Sequence, residues 1–316
     1  MLAGAQSARP QRSGGGLGAE PHLEGDLMIR TDIPITSTKL ADAIETLSPA
    51  INHSIIGASR LGRPIHALTI GSGEKTVLIN AAHHANEWIT TLLLMRFLEE
   101  CENGRQWESV TLHCIPMVNP DGVDLLTGGL GKLRTAYKEA EKMSENFAQP
   151  FPDCWKANIC GVDLNSNYPS GWELAKAHKY SRGFNKPGPR DYVGPTPLSE
   201  PETCALAAYT IFHEIDITLS LHTQGEEIYW RYMDFNPPGA EKLAKRFSAA
   251  SGYKLKEVPG ESSHGGYRDW FIRTFNRPGF TIECGLGENP LPLSQFDDMY
   301  KKVSPMLWEA LFFNVE

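Results

Sequence analysis

No apolar run in this sequence approaches the eighteen or so residues that a membrane span requires. Long basic runs are missing too. With 38 acidic against 30 basic residues the net charge is −8, which argues against nucleic acid and, with no span, against a membrane as partner. The six cysteines form no paired CxxC motif. Cys114 and Cys284 fall in strand-like apolar runs, the pattern of buried free thiols and of a reducing cytoplasm; a Cys154–Cys160 bridge across a loop is the alternative. Residues 1–25, rich in Gly, Ala, Ser and Arg, lack the apolar core of a signal peptide and read as a disordered tail, consistent with a cytoplasmic setting. After them come no repeats and no low-complexity linkers, so 26–316 is expected to be one domain with a large buried core.

What is present is an alternation of strands and helices. Asp32–Leu47 reads as a helix capped near Thr36-Ser37-Thr38. Ser54–Ile56 and Ile65–Ile70 read as strands of a hairpin, and Thr76–Asn80 as a buried strand followed by a helix from Trp88. Thr111–Val118 is another strand, ending in a turn at Asn119-Pro120-Asp121-Gly122. Residues 123–160 read as an excursion with a helical patch near Tyr137–Phe147. Helices are expected at Glu200–Phe212, Ala240–Ala250, Gly266–Phe275 and Leu293–Phe313, and strands at Ile217–Leu221 and Gly279–Cys284. The pattern predicts a single α/β domain with a mixed, mainly parallel central sheet flanked by helices.

The polar stretch Ala82-His83-His84-Ala85-Asn86-Glu87-Trp88 sits at the carboxyl end of a predicted strand, where open α/β sheets place their sites. His84 and Glu87, three residues apart in a first helical turn, share a face, and an imidazole with a carboxylate suits zinc. Taken alone, that spacing is common by chance. His222 ends an apolar strand as His84 does, and Glu283 ends another, where an unpaired carboxylate would be costly to bury.

Five pieces in order resemble the zinc carboxypeptidase (funnelin) family: His84-x-x-Glu87-Trp88, Asn119-Pro120-Asp121-Gly122, Gly161-Val162-Asp163-Leu164-Asn165, Ser220-Leu221-His222 and Phe280-Thr281-Ile282-Glu283. Trp155-Lys156-Ala157-Asn158, Pro189-Arg190-Asp191-Tyr192, Pro197–Glu202, His222–Glu226 and Asn289-Pro290-Leu291-Pro292 are similar to one bacterial branch, the γ-D-glutamyl-L-diamino acid endopeptidases I, which cut peptidoglycan stem peptides.

The resemblance implies one zinc ion held by His84, Glu87 and His222, with a fourth position open. It implies Glu283 as general base, with Glu288 a nearby rim residue, and Asp163 as the acid that fixes the tautomer of His84, while His83 is structural. Lys156 stands where carboxypeptidases place an oxyanion-stabilising arginine after Trp. Ser166 replaces the arginine that grips a C-terminal carboxylate, which argues against ordinary C-terminal trimming; Asn165 beside it is retained as a substrate contact. The family's mobile tyrosine lacks a match, and His264 or Glu261 stands in its place. Arg190 and Glu226 or Glu227 are candidates for meeting charges on the acyl side. The implied activity is hydrolysis of the γ-D-glutamyl bond to meso-diaminopimelate or lysine in muropeptides. A general zinc carboxypeptidase, or a catalytically inactive peptide-binding module of the same fold, are the alternatives.

Overall fold

The computed structural model describes residues 29–102, 107–257 and 264–313. The expected tail at 1–25, and Glu261, lie outside them. Helix α1 (Ser37–Glu45) starts as its capping sequence predicts: the Thr36 hydroxyl accepts from the Lys39 amide at 3.1 Å. Strands β1 (Asn52–Ala58) and β2 (Pro64–Gly71) form the expected antiparallel hairpin. The buried strand β3 (Lys75–Ala81) leads through the His84 stretch into α2 (Ile89–Glu102). Strand β4 (Val110–Ile115) returns parallel to β3.

Asn119–Gly122 is not the isolated turn its residues suggest. It opens helix α3 (Pro120–Thr127): the Asn119 side chain accepts from the Gly122 amide at 3.1 Å, and Pro120 occupies the first helical position. Residues that favour turns also cap helices, and a proline there sacrifices no internal hydrogen bond. Helix α4 (Thr135–Met143) is the patch expected near Tyr137. Helix α5 (Trp172–Ser181) was not legible, because only Trp172 and Ala175 of it are buried and no apolar stripe marks it.

Helix α6 (Pro201–Phe212) and β5 (Ile217–His222) fall where expected. The short β6 (Glu227–Tyr229) follows, then α7 (Ala240–Ser251), the short β7 (Lys254–Lys256), α8 (Tyr267–Phe275), β8 (Gly279–Glu283) and α9 (Phe296–Phe312). Among the described residues these strands make one sheet in the order β1-β2-β4-β3-β5-β8-β6-β7. Its centre, β4-β3-β5-β8, is parallel, and β1, β2 and β6 run antiparallel to their inner neighbours, so the sheet is mixed as expected. Apolar side chains of α2, α7 and α9 pack on one face and those of α6 and α8 on the other. β4 succeeds β3 on one side and β5 lies on the other, so the chain order reverses about β3. That reversal opens a crevice at the carboxyl ends of the strands. No helix among the described residues is long and apolar enough to cross a membrane.

Candidate metal centre

Three strand ends deliver the site. β3 runs out at Ala81, and Ala85–Glu87 form a 3₁₀ turn rather than the expected α-helical one, with His84 directly before it. In such a turn residues three apart eclipse each other, so His84 and Glu87 align. Nδ1 of His84 lies 2.9 Å from Oε1 of Glu87. His222 closes β5, and its Nδ1 lies 2.8 Å from Glu87 Oε2 and 3.0 Å from His84 Nδ1. All three side chains are buried. Two ring nitrogens facing each other so closely need an electron-poor centre between them, and two imidazoles with one carboxylate are a zinc donor set. The residues present therefore fit the metal.

The surroundings hold these donors in place. His84 Nε2 lies 3.2 Å from Asp163 Oδ1, which assigns the ring proton to Nε2 and leaves Nδ1 with its lone pair. Burial alone would raise the Asp163 carboxyl, but Lys156 and His84 outweigh it and hold the pKa well below the usual range. Glu87 is likewise kept ionised against burial by His84 and His222. Its Oε1 accepts from Asn289 Nδ2 at 3.4 Å and its Oε2 from the Thr223 amide at 3.3 Å, while the Thr223 hydroxyl donates to Asn289 Oδ1 at 2.7 Å. His83 turns away from the donors, its Nε2 3.0 Å from the Tyr168 hydroxyl.

Beside the centre lies an open cavity of about 460 Å³, into which Glu87, Lys156, Arg190, Tyr229, Glu283 and Glu288 all face. Glu283 ends β8 in register with His222 on β5. Its carboxyl is pushed up to about 7, first by burial and then by Glu87 and Glu227, with His222 and Lys156 pulling the other way. A carboxyl poised there can take up and release a proton near neutrality. Burial works against the Lys156 ammonium, yet Asp163, Glu87 and Asp191 prevail and its pKa is raised. A fixed positive charge beside the donors is what a developing oxyanion needs.

The structure brings together His84, Glu87, His222, Asp163, Lys156, Arg190 and Glu283. Glu288 lines the cavity, while Glu226, Glu227, His264, Ser166 and Asn165 do not. Glu226 sits at a left-handed turn (φ 52°) that aims its carboxylate at Lys302, 2.6 Å away. Glu227 accepts from the Tyr229 hydroxyl at 2.6 Å and pairs with Lys256. Nδ1 of His264 is taken by the Tyr232 hydroxyl at 2.9 Å. Ser166 is buried outside the cavity, and Asn165 Nδ2 stands 3.5 Å behind His222 at Nε2. Thr223, Asn289 and Tyr229 were missed. The first two lie inside the quoted stretches His222–Glu226 and Asn289–Pro292, a usable signal to which no role was attached; Tyr229 carried none.

A sequence model of the zinc carboxypeptidase family matches residues 38–303. The chain is 39% identical over 285 residues to γ-D-glutamyl-L-diamino acid endopeptidase 1 of Lysinibacillus sphaericus, covering 85% of this chain and 69% of that protein. It is 41% identical over 281 residues to the uncharacterized protein YqgT of Bacillus subtilis, covering 84% and 73%. Among solved structures, carboxypeptidase A from Helicoverpa armigera superposes with a TM-score of 0.67 at 16% identity, over 89% of this chain and 74% of that one.

Proposed function

The chain belongs to the zinc carboxypeptidase family as a metallopeptidase, and we propose that the bond it cuts joins the γ-carboxyl of D-glutamate to a diamino acid, meso-diaminopimelate or lysine, in peptides derived from peptidoglycan. The named Lysinibacillus relative supports this choice. The observation that carries it is the placement of charge. A carboxypeptidase of this family needs a cation for the substrate's terminal carboxylate, but that position is Ser166, buried and outside the cavity. Among the described residues, the cations that line the cavity are Lys156 and Arg190. A γ-linked D-glutamyl residue leaves its α-carboxylate free on the acyl side of the scissile bond, and such a group is what Arg190 can meet.

His84, Glu87 and His222 would hold one zinc ion per chain. Zinc bound there supplies a Lewis acid that polarises a carbonyl and lowers the pKa of water toward about 7. Glu283 accepts the proton of the attacking water and returns it to the amine of the departing diamino acid, a task matched to a carboxyl near pH 7. Lys156 opposes the charge that develops on the γ-carbonyl oxygen. Asp163 and Asn289 keep His84 and Glu87 oriented throughout. All six cysteines are free, which supports a cytoplasmic setting for turnover of wall peptides.

Mass spectrometry of products from a panel of peptides tests the reading. L-Ala-γ-D-Glu-diaminopimelate is expected to yield L-Ala-D-Glu and diaminopimelate, while α-linked peptides with free C-termini stay intact. Release of C-terminal residues from α-linked peptides at comparable kcat/KM would overturn it and leave only the metallopeptidase.

A further inference from the structure

Beneath the metal donors the sheet carries a row of polar residues that the proposed chemistry does not use. In the register of the central strands Asn80 pairs with Ser220 and Ser220 with Thr281. Side chains two apart on a strand share a face, so Ser220 points to the same side as His222, and Thr281 to the same side as Glu283. On that side Thr218, two residues before Ser220, approaches the Tyr267 hydroxyl at 3.5 Å. The His83 ring lies there too, with Tyr168 and Tyr267 about it, and it stacks on His222 at 5.7 Å and 22°.

These residues are shut off from solvent: relative exposure is 0% for Asn80 and His83 and 1% for Ser220. Yet neither Asn80 Nδ2, Asn80 Oδ1, Ser220 Oγ nor His83 Nδ1 meets a protein hydrogen-bond partner. A buried primary amide making none of its bonds is rare, and buried polar groups are otherwise paired. Asn80 and Ser220 stand on adjacent strands, roughly 4.8 Å apart, and do not bond directly, so neither satisfies the other. The set offers donors and acceptors together, the two to four partners that an enclosed water requires. It contains no carboxylate or thiolate, so a metal ion is not the occupant.

We infer that Asn80, Ser220 and His83 bind a cluster of buried water beneath the metal donors, and that this water positions His83 against His222. Water on Nδ1 completes the hydrogen bonding of a ring whose Nε2 is already taken by Tyr168. The ring then forms a fixed floor under His222, so Asn80 acts on the metal through water, His83 and His222 as a positioning residue. The second step rests on the assignment of His222 as a metal ligand; the first does not.

A crystal structure of the zinc-loaded enzyme at high resolution, with chelator competition for zinc affinity, tests both steps. At least one water is expected within about 3.2 Å of two or more of the four atoms. Asn80→Leu should expel it and weaken zinc binding about tenfold, the scale seen when outer partners of a metal ligand are lost. Asn80→Ser, which puts a hydroxyl in place of the amide and leaves room for one more water, should recover affinity to within about twofold of wild type on the same scale. A dry site, or an Asn80 amide bonded directly to Ser220 or His83, overturns the inference even if Asn80→Leu does not fold. Water present with zinc affinity unchanged in Asn80→Leu overturns the positioning step. Failure of the wild type to bind zinc would instead undo the metallopeptidase assignment, and the water density would still decide this one.

Discussion

Asp163 and Lys156 face each other across 3.9 Å behind His84, so the carboxylate that meets the His84 ring is itself held ionised by the cation that lines the cavity. The two roles are tied: a change at Asp163 disturbs the ring and loosens the lysine together.

Asp163→Asn should therefore fold normally and bind zinc roughly 10–100-fold more weakly, because the amide no longer fixes the Nε2–H tautomer of His84 as firmly. Chelator competition measures the affinity, and circular dichroism checks the fold. Stripping zinc from the wild type should lower its Tm, and adding zinc back should restore it, since only the folded chain gathers His84, Glu87 and His222. An Asp163→Asn protein with undiminished affinity would deny Asp163 this role.

Glu283→Gln keeps shape and removes basicity. Zinc content should remain normal while kcat falls by roughly 10²–10⁴-fold. A general base at this position works only when deprotonated. With its carboxyl at about 7, and drawn lower by a bound cation, kcat/KM should decline tenfold per pH unit on the acid side, with a midpoint at or below pH 7. Glu288→Gln, at the exposed wall of the cavity, should leave that limb in place. If Glu283→Gln retains the acid limb and most of its rate, the base is another group.

The strand ends were the legible part of this site. His84 and Glu87 lie within one turn, and His222 and Glu283 each terminate a run of apolar residues, so the sequence itself exposes polar groups where a parallel sheet ends. What reaches the site from loops was not legible. Asn289 opens a quoted motif, but that motif does not say which residue it meets, and it closes on Glu87 from more than two hundred residues away. Glu226 failed for a backbone reason: the turn at Gly225–Glu226 has both residues at positive φ, which sends the carboxylate to Lys302. Asn119-Pro120 misled because the same side-chain acceptor serves a turn or a helix cap, and only the chain beyond it decides.

Away from the metal, Glu202 is buried where its carboxylate accepts from the Arg60 amide at 3.2 Å and lies near Glu200 and Asp121. Burial chiefly, with those acids, pushes its pKa from 4.5 up to about 7. A raised carboxyl favours the folded state fully below pH 4.5, and this contribution is lost as pH rises through about 7. Above pH 8 the wild type carries a penalty of up to roughly 3 kcal/mol at this position. Glu202→Gln should relieve part of it: urea unfolding should show a variant that gains on the wild type between pH 5 and 8. Parallel stability curves over that range would show that Glu202 titrates as an ordinary carboxylate.

Specificity is the sharpest test of the charge layout. Arg190 lines the cavity and donates from Nε to Asp191 Oδ2 at 2.9 Å, which steadies the guanidinium and keeps its two terminal nitrogens as further donors. If they bind the free α-carboxylate of a γ-linked D-glutamyl residue, Arg190→Ala loses a charge-assisted hydrogen bond. That loss should raise KM roughly 10–100-fold with kcat nearly unchanged. The same variant should be almost indifferent when the substrate carries D-isoglutamine, whose α-amide offers no charge. Ser166→Arg is the complementary change. It places a cation at a position that does not line the cavity, so it should not improve cleavage of L-Ala-γ-D-Glu-diaminopimelate, while it can awaken slow release of C-terminal residues from α-linked peptides. Equal losses for the acid and amide substrates in Arg190→Ala would mean that Arg190 supports Asp191 and the loop rather than the substrate, leaving Lys156 as the other cation that lines the cavity among the described residues.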